Sequence, residues 1–250
     1  MKNKIIEMKK VIIALFLLIS FCYTSVANDD SAMINQEDYL AELKEQLGLK
    51  WPNNRTINVV FHGHSVPSGY FTGGVVNTLA AYPHLFLKFL KENYPKAVVN
   101  CITTSIGGEQ SEQGAKRFKD DVLCVNPDLL FIDYALNDRS IGLKRAESAW
   151  RKMIEEALDN NIKLVLMTPT PDLREDILDE NAKLAGYTNM IKNLGKEFDV
   201  PVVDVYARFK KLKQDGVDLS ILMAQNNHPN ESGHKVVVKE IAKELFSELR

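Results

Sequence analysis

Five short runs rich in Val, Ile and Leu, separated by stretches with apolar residues at helical spacing, predict an α/β fold. Short continuous apolar runs are what strands buried on both faces look like, so the sheet is expected to be parallel and covered by helices on both sides. Two further observations point the same way. No repeat, low-complexity tract or internal linker breaks the alternation, and Pro95, Pro127 and Pro201 mark the approaches to the second, third and fifth runs.

The first residues stand outside this pattern. Lys2, Lys4, Lys9 and Lys10 precede the apolar stretch Val11 to Tyr23, and Ser25-Val26-Ala27 offers small residues at a cleavage site. That order reads as a secretory signal peptide over residues 1–27, with an apolar core too short to span a membrane. Phe21 before Cys22 is too bulky for the usual lipid-attachment site. Residues 28–250 are then one domain. Cleavage would remove a net +3 and take the chain from −2 to −5. A mildly acidic exported globule without a basic stripe is not expected to bind nucleic acid. Nothing after Ala27 resembles a transmembrane segment, so no membrane contact is expected of the mature form. Export permits a disulfide between Cys101 and Cys124, but two cysteines make no framework for this length, and two small buried hydrophobes is the preferred reading.

In chain order, Asp38 to Leu47 spaces Tyr39, Leu40, Leu43 and Leu47 as a helix outside the sheet. Strands are expected over Ile57 to Phe61, Ala97 to Ile102, Leu129 to Tyr134, Lys163 to Met167 and Val200 to Val205. Helices are expected over Val75 to Asn93, Gln110 to Leu123, Lys144 to Asn160, Glu180 to Phe198 and Gly233 to Leu249. Trp51 and Trp150 are expected to pack on flanking helices, His84 to lie on a helix and His234 to open one. The sum is a three-layer, flavodoxin-like α/β/α sandwich with a parallel five-stranded sheet.

In such a sheet the carboxyl ends of the strands share one edge, where ligands bind. The first strand ends at Gly63-His64-Ser65 and the second at Ser105-Ile106-Gly107-Gly108-Glu109. The third ends at Leu136-Asn137-Asp138, and His228 follows the last. Residues distant in sequence thus converge on one crevice. Serine is a weak nucleophile until a base takes its proton, and histidine titrates in the right range. Taken singly, each residue has a plainer role: Ser65 as a turn or helix cap, His228 as a surface loop residue, Asn137-Asp138 as a turn pair, Gly107-Gly108 as a chain reversal. Asp133 and Tyr134 read as structural, with Asp133 a candidate tether for the site's edge.

These segments, in this order, resemble the SGNH or GDSL-like hydrolases over Ile57 to roughly Lys235. Gly63-His64-Ser65 is similar to the first block, whose serine is the nucleophile. Asn100 and then Gly108-Glu109-Gln110-Ser111-Glu112-Gln113-Gly114 resemble the second, with the oxyanion glycine at Gly108 and Gly107 as fallback. Leu136-Asn137-Asp138 resembles the third, whose asparagine completes the oxyanion hole. His228-Pro229-Asn230 resembles the last, which carries the catalytic histidine. The resemblance implies a carboxylic ester hydrolase, which the amino-terminal signal would export: catalytic Ser65 and His228, an oxyanion hole of Ser65, Gly108 and Asn137, and no cofactor.

Two positions depart from the family's pattern. His64 stands where aspartate is usual, and Gln225 stands where an acid usually orients the histidine. Three readings follow: a Ser-His dyad with Gln225 or a carbonyl orienting His228, another carboxylate such as Asp172 or Glu109 reaching the ring, or lost activity. The dyad is preferred, because nucleophile, base and oxyanion donors all remain. Two other classes compete. A three-histidine metal site could form from His62, His64 and His228. A carbohydrate-binding protein could use the same fold, with Tyr70, Phe71 and Tyr82 near the nucleophile loop. Short loops without an apolar lid favour a small acyl group, and acetyl on a carbohydrate is the expected substrate. Arg139 could contact it, although a surface salt bridge is the plainer role.

Overall fold

The computed structural model describes residues 39–249; the expected signal peptide over 1–27 lies outside the described residues. The sheet order is β2-β1-β3-β4-β5, all parallel, the flavodoxin-like arrangement expected. The strands are β1 (Thr56–Gly63), β2 (Val98–Thr103), β3 (Leu129–Asp133), β4 (Lys163–Met167) and β5 (Val202–Val203).

Alternation along the strands sorts the core into two layers. Ile57, Val59 and Phe61 of β1, Phe131 of β3 and Val165 of β4 face one side. There they meet α1 (Ala41–Gly48), α3 (Tyr82–Asn93), α8 (Val205–Gln214) and α9 (Glu231–Leu245). Val60, Leu130, Ile132, Leu164 and Leu166 face the other. They pack on α4 (Ser111–Asp121), α6 (Leu143–Asp159) and α7 (Lys183–Phe198). Two four-residue helices, α2 (Ser65–Ser68) and α5 (Ala135–Asp138), follow β1 and β3 directly. They lie at the carboxyl ends of those two strands.

Several expected bounds move, each for a local reason. The helix predicted from Val75 starts only at Tyr82. Pro83, in its first turn, lacks an N–H and suits a helix start. Residues 69–81 run instead as a loop in which Val76 bridges Tyr70. The fifth strand shrinks to two residues because Asp204 accepts the Ala207 N–H and caps an unforeseen helix, α8. An unforeseen hairpin, β6 (Met223–Gln225) with β7 (His228–Pro229), precedes α9. His234 lies inside α9, which Asn230 caps by accepting the Gly233 N–H, and His84 lies on α3.

Trp51 is 83 % exposed, against the expectation that it packs; it sits in the turn before β1. Trp150 is fully buried on α6. The cysteines are less buried than expected, because β2 is an edge strand and Cys124 lies in a short turn. Both thiols are free, and partial burial pushes that of Cys101 up to about 12.

Candidate active site

Gly63 lets the segment that carries Ser65 form. A Cβ there would lie 2.4 Å from the Asp133 carbonyl oxygen, so only glycine lets β1 end this close to β3. The chain then turns at His64, whose Nδ1 accepts the Val66 N–H and caps α2. Ser65 is the first residue of α2 and only 6 % exposed. Gly69, at φ 88°, stops the turn.

His228 arrives from the other end of the chain on β7. Its Nε2 lies 2.6 Å from Ser65 Oγ, within hydrogen-bond distance for a base and its nucleophile. Gln225, its cross-strand neighbour, places its side-chain amide against Nδ1 on the far side of the ring. Thr72 Oγ1 donates to the Ala224 carbonyl, and Leu173 N–H to the Asn226 carbonyl at 2.7 Å. These two bonds tie the hairpin to neighbouring loops. Burial pushes His228 down to about 4; the charge of His64 adds to this and that of Asp172 opposes it.

The second and third strand ends complete the edge. Thr104 N–H and Ser105 Oγ donate to the Phe61 carbonyl and Ile106 N–H to that of Gly63, each at 3.0 Å. The glycine loop therefore lies along the end of β1. Gly108 has φ 78°, a conformation that favours glycine. Gly107 lies against the Tyr70 ring, so closely that a Cβ would come within 2.6 Å. Asn137, on α5, donates Nδ2–H to the Glu109 carbonyl at 2.9 Å, joining the second loop to the third. Asp138 turns inward, accepting the Ser111 N–H at 2.7 Å and the Trp150 indole N–H at 2.8 Å.

Neither alternative carboxylate is placed to orient His228. Glu109 accepts from Arg117 Nε at 2.8 Å and from the Tyr134 hydroxyl at 2.6 Å. Asp172 is held by Arg139 at 2.7 Å and Arg174 at 2.6 Å. Burial would raise its carboxyl, but the guanidiniums overcome that and hold it at about 2. Arg139 thus makes a salt bridge, but with a buried carboxylate rather than at the surface as expected. The three-histidine metal set does not form either. His62 is fully buried with Nδ1 2.8 Å from Thr104 Oγ1 and Nε2 3.2 Å from the Tyr134 hydroxyl. Among the described residues, no group of three His, Cys, Asp or Glu side chains is disposed to hold a metal.

Tyr70 went unrecognised as a site residue beyond its aromatic character. Its ring stacks on His228 at 6.3 Å and 29°. The Glu109-Arg117-Tyr134-His62 network behind the glycine loop also had no local signal, since tertiary contact alone assembles it.

Comparisons with known proteins bear on the family and the fold. The sequence model described as the GDSL-like Lipase/Acylhydrolase family matches residues 61–236. An acetylxylan esterase from Geobacillus stearothermophilus is 20 % identical over 195 residues, covering 73 % of this chain and 88 % of that one. An uncharacterized lipoprotein, YqeF, from Bacillus subtilis (strain 168) is 26 % identical over 201 residues, covering 60 % and 80 %. Among solved structures, the Geobacillus esterase superposes with TM-score 0.65 at 20 % identity, covering 76 % of this chain and 94 % of its own. A two-domain esterase active on acetylated mannans gives 0.68 at 17 % identity, covering 84 % of this chain. This chain spans about half of that esterase's length, 52 %. The structural likenesses carry the fold. On the family match over most of its length, this chain is a carboxylic ester hydrolase and belongs to the GDSL-like lipase/acylhydrolase family.

Proposed function

We propose that this chain is an exported serine esterase that removes acetyl groups from carbohydrates through a Ser65-His228 dyad. The observation that carries the reading is the 2.6 Å approach of Ser65 Oγ to His228 Nε2. Ser65 attacks the ester carbonyl as His228 takes its proton, and the tetrahedral intermediate carries its charge on the former carbonyl oxygen. Ser65 N–H, Gly108 N–H and the Asn137 amide are the donors assigned to that oxygen. An amide NH2 has two hydrogens; Asn137 spends one on the Glu109 carbonyl, and the other remains for an oxyanion. His228 then protonates the departing sugar oxygen. Water, activated by the same ring, releases acetate and restores Ser65. Every step is a proton or acyl transfer, and the reading assigns no cofactor.

The preference for acetylated carbohydrate draws on the relatives, named as an acetylxylan esterase and an esterase active on acetylated mannans. Export draws on the amino-terminal sequence. Among the described residues, no helix is long and apolar enough to cross a membrane. Acetate release from acetylated xylo- and manno-oligosaccharides is expected from residues 28–250, with little release from long-chain acyl glycerides. The reverse order of rates would sink the substrate assignment.

Asn137→Ala is expected to lower kcat by about 10²-fold with a smaller change in KM, as loss of one oxyanion donor does. A KM rise at constant kcat would place Asn137 in ground-state binding instead.

A further inference from the structure

The loop that carries Gly108 is clamped at both ends by side chains to which the mechanism above gives no task. At its start, the Thr104 hydroxyl meets His62 Nδ1 at 2.8 Å. Burial keeps the His62 ring neutral, pushing it down to about 3. Its Nε2 lies 3.3 Å from the Gly114 carbonyl, which can only accept, so Nε2 carries the proton and Nδ1 accepts from Thr104. At the loop's end, Glu109 is 7 % exposed. Arg117 grips both of its carboxylate oxygens, Nε to Oε1 at 2.8 Å and Nη2 to Oε2 at 2.5 Å, the forked geometry that best fixes a carboxylate. The hydroxyl of fully buried Tyr134 donates to Oε2 at 2.6 Å. It passes α4 at Gly114, where a Cβ would lie 2.3 Å from the hydroxyl oxygen. Glycine weakens a helix interior, and here it makes room for the clamp.

Through its main chain, Glu109 bears on two of the assigned oxyanion donors. Its N–H donates to the Ile106 carbonyl at 3.2 Å and closes a β-turn. The third residue of that turn, Gly108, has the positive φ that a type II turn requires there. Turn type decides which way the central peptide faces, and that peptide carries the Gly108 N–H. Among the described residues this N–H has no protein acceptor. The Glu109 carbonyl accepts Asn137 Nδ2–H at 2.9 Å, which fixes the direction of the second amide hydrogen.

We propose that Glu109 is a positioning residue for the oxyanion hole: anchored by Arg117 and Tyr134, it holds the Gly108 N–H and the Asn137 amide toward one point. The inference rests on those two donors serving the oxyanion. Such a hole works when its donors are set before charge develops, so that attack needs no reorganisation. A glycine pair is pliable by itself, and residues 106–108 are exposed, so the order must come from the loop's ends. A buried ion pair adds little net stability over an apolar replacement. What this one adds is a single geometry for the residue that follows Gly108.

The experiment measures kcat and KM on p-nitrophenyl acetate, and fluorophosphonate labelling of Ser65, in variants whose unfolding midpoints show them folded. The variants are Glu109→Ala, Glu109→Gln, Asn137→Ala and the double variant Glu109→Ala/Asn137→Ala. Glu109→Ala is expected to lower kcat by about 10²-fold with KM unchanged, as loss of an oxyanion donor does, and to slow labelling alike. Glu109→Gln has the same shape, but in either orientation its NH2 faces an Arg117 donor. One arm of the fork then opens, and kcat is expected to fall about 10-fold. This variant carries the test if the alanine variant does not fold. Independent losses of about 10² each would multiply to about 10⁴ in the double variant. Because Glu109→Ala already misplaces Asn137, the double variant is expected to lose about 10³ or less. Full multiplication would overturn the proposal. So would Glu109 variants that keep the parent's kcat and labelling rate at a lowered unfolding midpoint, since Glu109 would then serve stability alone. An Asn137→Ala variant with the parent's kcat would overturn the oxyanion assignment and this inference with it.

Discussion

Ser65→Ala is expected to lower p-nitrophenyl acetate hydrolysis by about 10⁵-fold, while a chelator leaves the parent's rate unchanged. Removing the nucleophile of a comparable serine hydrolase costs on the order of 10⁶ in kcat, and the remaining activity comes from the oxyanion donors and binding. Here the hydroxyl lies 2.6 Å from its base, so its loss removes the attacking atom without disturbing the scaffold. The fold should tolerate the change. Ser65 opens α2, yet the cap of that turn is His64, not Ser65. Half-buried His228 can take a water at Nε2, so stability should shift by about 1 kcal/mol at most. The two controls separate the mechanisms. Activity that survives Ser65→Ala but dies with the chelator would return the chemistry to a metal, although His62 has turned both ring nitrogens inward. A parent without esterase activity that still bound acetylated oligosaccharide would favour a binding protein.

The sheet was legible because each of its buried strands is an apolar run, whatever surrounds it. The candidate positions were placed for a related reason: Ser65 and Asn137 follow such runs closely and Gly108 lies on the loop after another, so strand topology sets all three at the carboxyl ends of the sheet. Where local capping overrides pattern, the reading failed. Val205 continues an apolar run, but Asp204 caps a helix there. The loop over residues 69–81 carries apolar Val75, Val76 and Leu79 at spacings that mimic a helix, yet all three are exposed. The two-residue strand β7 holds His228 but is too short to leave a periodic signal. Asp133 was legible as a strand-end residue and candidate tether, but its partner, the Tyr82 hydroxyl, reaches it through tertiary packing that leaves no local signal.

Gln225→Glu is expected to raise kcat by about 10²-fold at neutral pH and to move the acid limb of the pH profile upward. In the parent, burial holds His228 at about 4, so its neutral, proton-accepting form persists from neutral pH down to that value. Activity should rise as pH climbs through about 4 and then level off. The same low basicity limits the ring as a base, because proton transfer is most effective when the catalytic group titrates near the working pH. Gln225 can orient the ring but offers no charge to the imidazolium. With Nε2 accepting from Ser65, Nδ1 carries the proton, and the carbonyl end of the amide must face it. The amide nitrogen is the atom nearest Nδ1 here, and a half-turn of the nearly isosteric amide exchanges the two ends. Glutamate has the same shape and presents an acceptor in either orientation. An opposite charge in contact typically raises such a group by about 1–3 units, so His228 would protonate at higher pH and the limb would shift up. Replacing the acid of a Ser-His-Asp protease by its amide costs about 10⁴ in kcat. The smaller gain expected here reflects the exposure of Gln225 to solvent, which screens the new charge. An unmoved acid limb, with no gain at neutral pH, would show that residue 225 does not act on His228, whatever its contact with the ring.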